Sequence, residues 1–390
     1  MKKIRTLLSI LLCSFLIIGV LPLNAFAENN TDMKVEVMAK AAVLMDMSTG
    51  EVIMAKNENE KLFPASVTKI MSLLLIFEAL DNGKIKLDDT VTVSKYASSM
   101  GGSEIWLEEG EQMTAEEMIK AICVASANDA CVAMSEFIAG SNDAFVELMN
   151  KRASELGMNN TTFVNCTGLD DTTDDHLTTA YDIALMSREL MKHEKVTEYT
   201  TIWMDSLRNG ETLLTNTNKL VRFYDGCTGL KTGTTAKAGC CLSATATRNG
   251  TSLIAVVLGS KTSEERFEGA KAMLNWGFSN LETVTPEIED GLITKVGVRY
   301  GLKTSLMPSI PDFKPILIEK GNKDKIEQNI ELPVDVEAPV EKGQIIGKVI
   351  FKLNDEKIGE YSLVSEEEIP RLTFTEAFLR ILRAFKSKNS

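Results

Sequence analysis

The sequence predicts an α+β fold: an antiparallel sheet covered by helices, followed by a small all-β domain and a C-terminal amphipathic helix. Three observations carry this expectation. Short strand-like stretches around turn residues open and close the first 280 or so residues, with a series of capped helical stretches between them. The composition shifts near Leu281, after which residues 282–370 hold most of the prolines, no cysteine and several extended stretches. In the tail, Phe374, Phe378, Ile381, Leu382 and Phe385 recur at helical spacing, with Arg371, Arg380, Arg383, Lys386 and Lys388 among them.

At the N-terminus, Lys2, Lys3 and Arg5 precede an apolar run from Leu7 to Val20, and Ala25-Phe26-Ala27 supplies a small-x-small site. Residues 1–27 therefore read as a cleaved secretory signal peptide, a permanent anchor being the other reading. The remaining chain divides into a domain over 28–281, an all-β domain over 282–370 and a tail over 371–390. Residues 28–38 are a polar lead-in. Residues 41–45 and 51–54 form a hairpin around Ser48-Thr49-Gly50. Pro64 then opens a long buried helix with Ser66 in its first turn, which Asp81-Asn82-Gly83-Lys84 ends. Residues 84–112 are irregular.

Thr114 and Glu117 have the form of a capping box and open a helix through Val124. A second helix begins after Asn128 and runs to about Ile138. Ser141 caps a third, which ends before Gly157, and Thr179 caps a fourth running through Leu190. Residues 163–170 make a loop between the last two. From Gly226 to Thr234 a glycine-containing loop leads into a strand over 240–247; Asn249-Gly250 turns the chain and 253–259 returns. Ser263 caps a helix through Trp276. In the β domain, 347–353 and 357–363 pair across Asn354-Asp355-Glu356.

Forty-two Lys and Arg face 55 Asp and Glu, a net charge of −13, and the signal peptide removes three bases and no acid. An exported chain this acidic is a poor candidate for a nucleic-acid partner. The basic face and phenylalanines of the tail instead suit an anionic membrane surface, the other reading being a helix packed on the β domain. Six cysteines remain after residue 27: Cys123, Cys131, Cys166, Cys227, Cys240 and Cys241. An even number permits disulfides. However, Cys123 and Cys131 lie in apolar helical stretches, and neighbours such as Cys240 and Cys241 point to opposite faces of a strand, which favours buried thiols. There is no Cys-x-x-Cys pair and there are only two histidines, so neither a zinc site nor another cofactor is expected.

The chemistry is concentrated in three short pieces that occur in order. Ser66-Val67-Thr68-Lys69 places a serine and a lysine on one helix face. Serine needs an adjacent base to act as a nucleophile, and a desolvated lysine can be that base. Ser126-Ala127-Asn128 falls in a break between two helices, and Lys231-Thr232-Gly233 enters the strand before Asn249-Gly250. Alone, each has an ordinary reading: a cap followed by a surface lysine, a helix cap, a turn. As an ordered set they are far more specific.

With Leu156-Gly157-Met158, Gly168-Leu169-Asp170, Ala180-Tyr181-Asp182 and Asn275-Trp276-Gly277-Phe278, these motifs resemble the low-molecular-mass penicillin-binding proteins, specifically the serine-type D-alanyl-D-alanine carboxypeptidases. The likeness covers nearly all of the chain after residue 27. It implies a β-lactamase/transpeptidase-like catalytic domain in which Ser66 attacks the peptide carbonyl between two terminal D-alanines and Lys69 takes its proton. Ser126, with Lys231 close by, relays a proton to the leaving amine, and Asn128 orients Lys69 and the substrate amide. The backbone N–H groups of Ser66 and Thr234 form an oxyanion hole. Lys231, Thr232, Gly233, Thr234 and Arg266 bind the substrate end that carries the free carboxylate. The resemblance further implies peptidoglycan stem peptides as substrate, acylation by β-lactam antibiotics, no metal, and a location on the outer face of the cytoplasmic membrane.

Three other readings are open to test. A His-dependent hydrolase has only His176 and His193 to draw on; His193 reads as a surface residue near a helix end and His176 as a support for the loop at Gly168–Asp170. A class A β-lactamase would need a further glutamate, for which Glu155-Leu156-Gly157-Met158-Asn159 is a near match. A penicillin-binding protein without turnover would have lost the nucleophile or the lysine, and both are present.

Overall fold

A computed structural model describes residues 32–170 and 173–379. The proposed signal peptide and most of the tail lie outside these residues. The central element is a five-stranded antiparallel sheet of β1 (Ala41–Asp46), β2 (Val52–Lys56), β3 (Cys227–Thr235), β4 (Gly239–Arg248) and β5 (Thr251–Ser260), in the order β2-β1-β5-β4-β3. The chain thus makes one edge first, crosses to a set of helices, and returns to build the other edge. Alternate residues of β1 go to opposite faces. Ala41, Val43 and Met45 join the larger core beneath the helices, whereas Ala42 and Leu44 join a second core under the last helix.

The helices are α1 (Lys69–Asp81), α2 (Ala115–Lys120), α3 (Asn128–Ala139), α4 (Asn142–Glu155), α5 (Ala180–Leu190) and α6 (Ser263–Asn280). Helix α1 is buried almost all round, as its unbroken apolar run requires. Thr114 and Glu117 form the expected capping box, and the Ser141 and Thr179 hydroxyls accept from the backbone N–H groups of Ala144 and Asp182.

Four local expectations change. Ser66 does not sit in an α-helical turn: Ala65–Thr68 is a 3₁₀ turn and α1 begins only at Lys69. The helix expected through Val124 does run on to Ala125, but it is α-helical only to Lys120; Ala121–Ala125 is a wider π-turn, which fits an extra residue in before Ser126. Lys231-Thr232-Gly233 lies within edge strand β3, not in a loop before the sheet. Finally, Thr262 caps α6 in a full capping box with Glu265, because its extended backbone aims the hydroxyl at the third N–H; Ser263 is already helical.

Beyond α6 the chain forms β6 (Leu281–Val284), β7 (Val296–Arg299), β8 (Ser305–Leu306), β9 (Ile316–Glu319), β10 (Glu327–Glu331), β11 (Asp335–Glu337), β12 (Ile345–Leu353) and β13 (Glu356–Val364). They pair as β6-β9, β8-β7-β11 and β10-β12-β13 around a small core of Val296, Val298, Leu306, Val340 and Ile346. The tight turn between β12 and β13 has Asn354 and Asp355 both at positive φ, the geometry that matches the twist of a hairpin. This domain is joined to the sheet at β1: the Thr283 hydroxyl donates to the buried Asp46 carboxylate at 2.7 Å, and Thr283 N–H donates to Thr251 Oγ1 at 2.9 Å. Residues 374–379 are helical, with Phe374 and Phe378 exposed.

Candidate active site

The 3₁₀ turn, the π-turn and β3 meet at one place. Strand β3 runs hard against the Ser66 turn: a Cβ on Gly233 would lie 2.8 Å from Pro64 O and 2.9 Å from Ser66 N. No other residue fits this approach without moving one backbone or the other. On the opposite side, Gly168 packs on the same turn at φ +85°, where a Cβ would stand 1.9 Å from Ala65 O.

Lys69 is fully buried at the start of α1. Its Nζ lies 3.0 Å from Ser66 Oγ, 2.5 Å from Asn128 Oδ1 and 2.9 Å from the Thr167 carbonyl. Burial pulls its pKa down from the ordinary lysine range to about 8. Asn128 is held in turn by Gly101 O, which accepts from Nδ2 at 2.7 Å, and by Ser103 O, which accepts from its backbone N–H at 2.7 Å.

Ser126 follows the π-turn in a left-handed conformation, φ 64°. Its hydroxyl oxygen accepts from Lys231 Nζ at 2.8 Å, and Lys231 also donates to Thr232 O. Lys231 is buried, and burial, with the neighbouring Lys69 and Arg266 charges, draws it well below the usual lysine range. Thr232 Oγ1 donates to Thr217 Oγ1 at 2.8 Å. Thr234 stands exposed on the edge strand. Arg266 is not on the surface: it lies beneath β3, with Nη1 donating to Gly233 O, Thr234 Oγ1 and Cys241 O and Nη2 to Ser263 Oγ, while its buried Nε has no hydrogen-bond partner among the described residues.

All nine residues singled out in the sequence are therefore in this cluster. Three contributors were not foreseen. Thr167 acts through its backbone, Thr217 lies in a connection without a distinctive pattern, and Asp129 binds the N–H groups of Ile105 and Leu107 across the helix start. Only the last carried a signal, as an acid immediately after Asn128.

His176 is buried and does not touch Ser66. Its Nδ1 accepts from Val164 N–H at 3.0 Å, so Nε2 carries the proton and donates to Thr68 Oγ1 at 2.8 Å. It thereby ties the loop that carries Thr167 and Gly168 to the Ser66 turn, and burial lowers its pKa to about 4. His193 pairs with Asp81 at the far end of α1, about 18 Å of helix away from Lys69. Glu155 ends α4, half exposed, beside Lys151 and Arg152. Among the described cysteines there is no disulfide and five of six are buried. Cys131 and Cys166 are in side-chain contact behind Lys69, and the Cys166 carbonyl accepts from Ser72 Oγ and Cys131 Sγ.

The chain matches the model of the D-alanyl-D-alanine carboxypeptidase family over residues 27–262 and that of the penicillin-binding protein 5 C-terminal domain over residues 282–371. It is 42% identical over 376 residues to D-alanyl-D-alanine carboxypeptidase DacF of Bacillus subtilis, covering 95% of this chain and 96% of that one. It is 36% identical to DacC of Escherichia coli over 89% of this chain and 88% of the relative. The fold is similar to that of penicillin-binding protein 5 from Haemophilus influenzae, with TM-score 0.77, 31% identity, and coverage of 87% of this chain and 99% of that structure. The chain belongs to the D-alanyl-D-alanine carboxypeptidase family of penicillin-binding serine hydrolases.

Because His176 is neutral in the fold down to about pH 4 but titrates near 6.5 when unfolded, the unfolded chain binds more protons between those values. Stability should fall as pH drops from 6.5 to 4, by up to about 3 kcal/mol from this group. Denaturant unfolding of the unaltered protein and of His176→Asn across that range should show the gap between them shrinking with acidification; a gap independent of pH would exclude this role.

Proposed function

We propose that this protein is an exported, membrane-associated carboxypeptidase that removes the terminal D-alanine from peptidoglycan stem pentapeptides through an acyl-enzyme on Ser66, and that β-lactams acylate the same serine. The observation that carries this reading is the surroundings of Lys69 Nζ. A neutral amine has two N–H groups and one lone pair. Asn128 Oδ1 and Thr167 O accept the two N–H groups, which leaves the lone pair for the Ser66 hydroxyl 3.0 Å away. With a pKa near 8, roughly a tenth of this lysine is neutral at pH 7, enough for a base that acts without histidine.

Ser66 Oγ, its proton passing to Lys69, adds to the carbonyl of the D-Ala-D-Ala bond. The developing oxyanion is met by the N–H groups of Ser66 and Thr234, a pairing supported by the close approach of the adjoining Gly233 to Ser66 N; one such donor is typically worth about 3 kcal/mol. Collapse breaks the C–N bond, and the leaving amine takes the Ser126 hydroxyl proton, which Lys231 replaces from 2.8 Å. The free carboxylate of the departing D-alanine faces Lys231, Thr232 and Thr234, with Arg266 adding positive charge from beneath through Thr234. Water then adds to the ester by the reverse proton path, releasing the shortened peptide and Ser66. The Glu155 of the β-lactamase alternative has no place in this path, as it is engaged by surface bases.

Fluorescent penicillin and a diacetyl-L-Lys-D-Ala-D-Ala peptide test the reading on the purified protein. Covalent labelling and D-alanine release are both expected, and both should vanish in Ser66→Ala. Labelling without release would indicate a binding protein, and rapid loss of the label as penicilloate would indicate a β-lactamase.

The acylation rate should rise with pH from 6 and level off above about 8, following the neutral fraction of Lys69. A flat stopped-flow profile over that range would remove Lys69 as the base.

A protein truncated after Pro370 should keep peptide hydrolysis and lose sedimentation with anionic vesicles. Undiminished sedimentation would overturn the membrane role of the tail.

A further inference from the structure

Resting on the carboxypeptidase reading, we propose that Trp106 and the carboxylates beside it form a subsite for the amine-bearing side chain of the residue that precedes the two terminal D-alanines. The starting point is a conformational anomaly. Trp106 is 74% exposed and has φ +55°, a left-handed conformation that bulky residues rarely adopt. Nothing in packing rewards it, since the indole is mostly in water.

The backbone on either side is nevertheless pinned. Ile105 N–H and Leu107 N–H both donate to Asp129 Oδ2 at 3.0 Å, and Asp129 is itself buried. Ile105 O accepts from Arg208 Nη1 at 2.9 Å and Trp106 O from Nη2 at 3.4 Å. Arg208 is fixed by Glu111 and by Thr212 Oγ1. The side chains of Ile105 and Leu107 are buried as anchors. A strained residue that its surroundings hold in place, with its side chain left in solvent, is the pattern of a ligand contact.

The location joins this turn to the catalytic residues. Asp129 directly follows Asn128, and Gly101 O and Ser103 O in the same loop hold Asn128. Asn128 Nδ2 gives one N–H to Gly101 and has a second for the substrate backbone. A peptide whose scissile carbonyl sits at Ser66 therefore leaves the site along this loop. Trp106 is three residues beyond Ser103, a span of at most about 10 Å, and a lysine-length side chain covers roughly 6 Å of it.

The chemistry of the turn selects a cation. An indole face attracts an ammonium group. Glu104, Glu108 and Glu109 lie within three residues of Trp106, Glu104 partly exposed and the other two exposed. Glu111, the fourth acid, is taken by Arg208. An exposed aromatic face on a turn that carries three acids within three residues of it fits a side-chain ammonium and disfavours the same side chain once acetylated.

The test compares Nα-acetyl-L-Lys-D-Ala-D-Ala, with its free ε-amine, and the diacetylated peptide, reading kcat/KM for D-alanine release. The unaltered protein should prefer the free-amine peptide about tenfold. In Trp106→Ala that ratio should collapse to near one, and Trp106→Phe should retain part of it. An unaltered protein without preference, or a Trp106→Ala variant that keeps it, would overturn the subsite. Trp106→Gly guards against a folding effect: glycine accepts φ +55° freely, so its Tm should be equal or higher while the preference is lost. A lowered Tm would assign Trp106 to loop stability instead. Absence of Ser66-dependent release from either peptide in the unaltered protein would strike the carboxypeptidase reading itself, and the subsite with it.

Discussion

The environment of one buried amine organises this molecule. Lys69 Nζ touches Ser66 from its own turn, Asn128 from the start of α3, and Thr167 from the loop before α5. An unpaired lysine in this position would be prohibitively costly to bury. The three oxygens remove that cost only while three separate stretches of chain are held in register, so the surrounding structure reads as a set of fixtures for them. His176 locks the Thr167 loop to the Ser66 turn. Gly101 and Ser103 lock Asn128. Cys131 and Ser72 close on the carbonyl of Cys166, one residue before Thr167.

A second constraint is steric and comes from two glycines. Gly233 lets an edge strand lie directly on the backbone of the Ser66 turn, and Gly168 lets a loop do the same from the other side. The candidate site is in this sense a point where three backbones approach more closely than side chains permit. Edge strands normally need protection from unwanted pairing. Here β3 pairs on one side only, its middle is buried against the Ser66 turn, and Thr234 is its exposed residue; under the proposed function this is where an extended peptide would lie.

Much of this was legible in the chain. Caps at Thr114, Ser141 and Thr179 announced their helices, because a hydroxyl or acid ahead of an apolar repeat has a local physical meaning. The motif residues announced the site because their chemistry is unusual as a set. What escaped was long-range or conformational. A backbone carbonyl such as Thr167 O has no side-chain signature. The left-handed φ of Ser126 and Trp106 and the 3₁₀ turn at Ser66 run against local propensity and are imposed by packing and hydrogen bonds from distant segments. Thr262 displaced Ser263 as a cap by a single residue, a difference that only the extended backbone of Thr262 decides.

The attachment of the all-β domain at Asp46 has a mechanical side. Thr283 fastens that domain to β1 and β5 through Asp46 and Thr251, whereas the Lys-Thr-Gly segment is on β3, which β4 separates from β5. Strands are about 4.8 Å apart, so a pull on the domain enters the sheet roughly 10 Å from β3 and spreads through the interstrand ladders before reaching it. A load on the all-β domain would then be borne first by the stiffest layer of the protein, the five-stranded sheet, before it reached the ångström-scale spacing around Lys69.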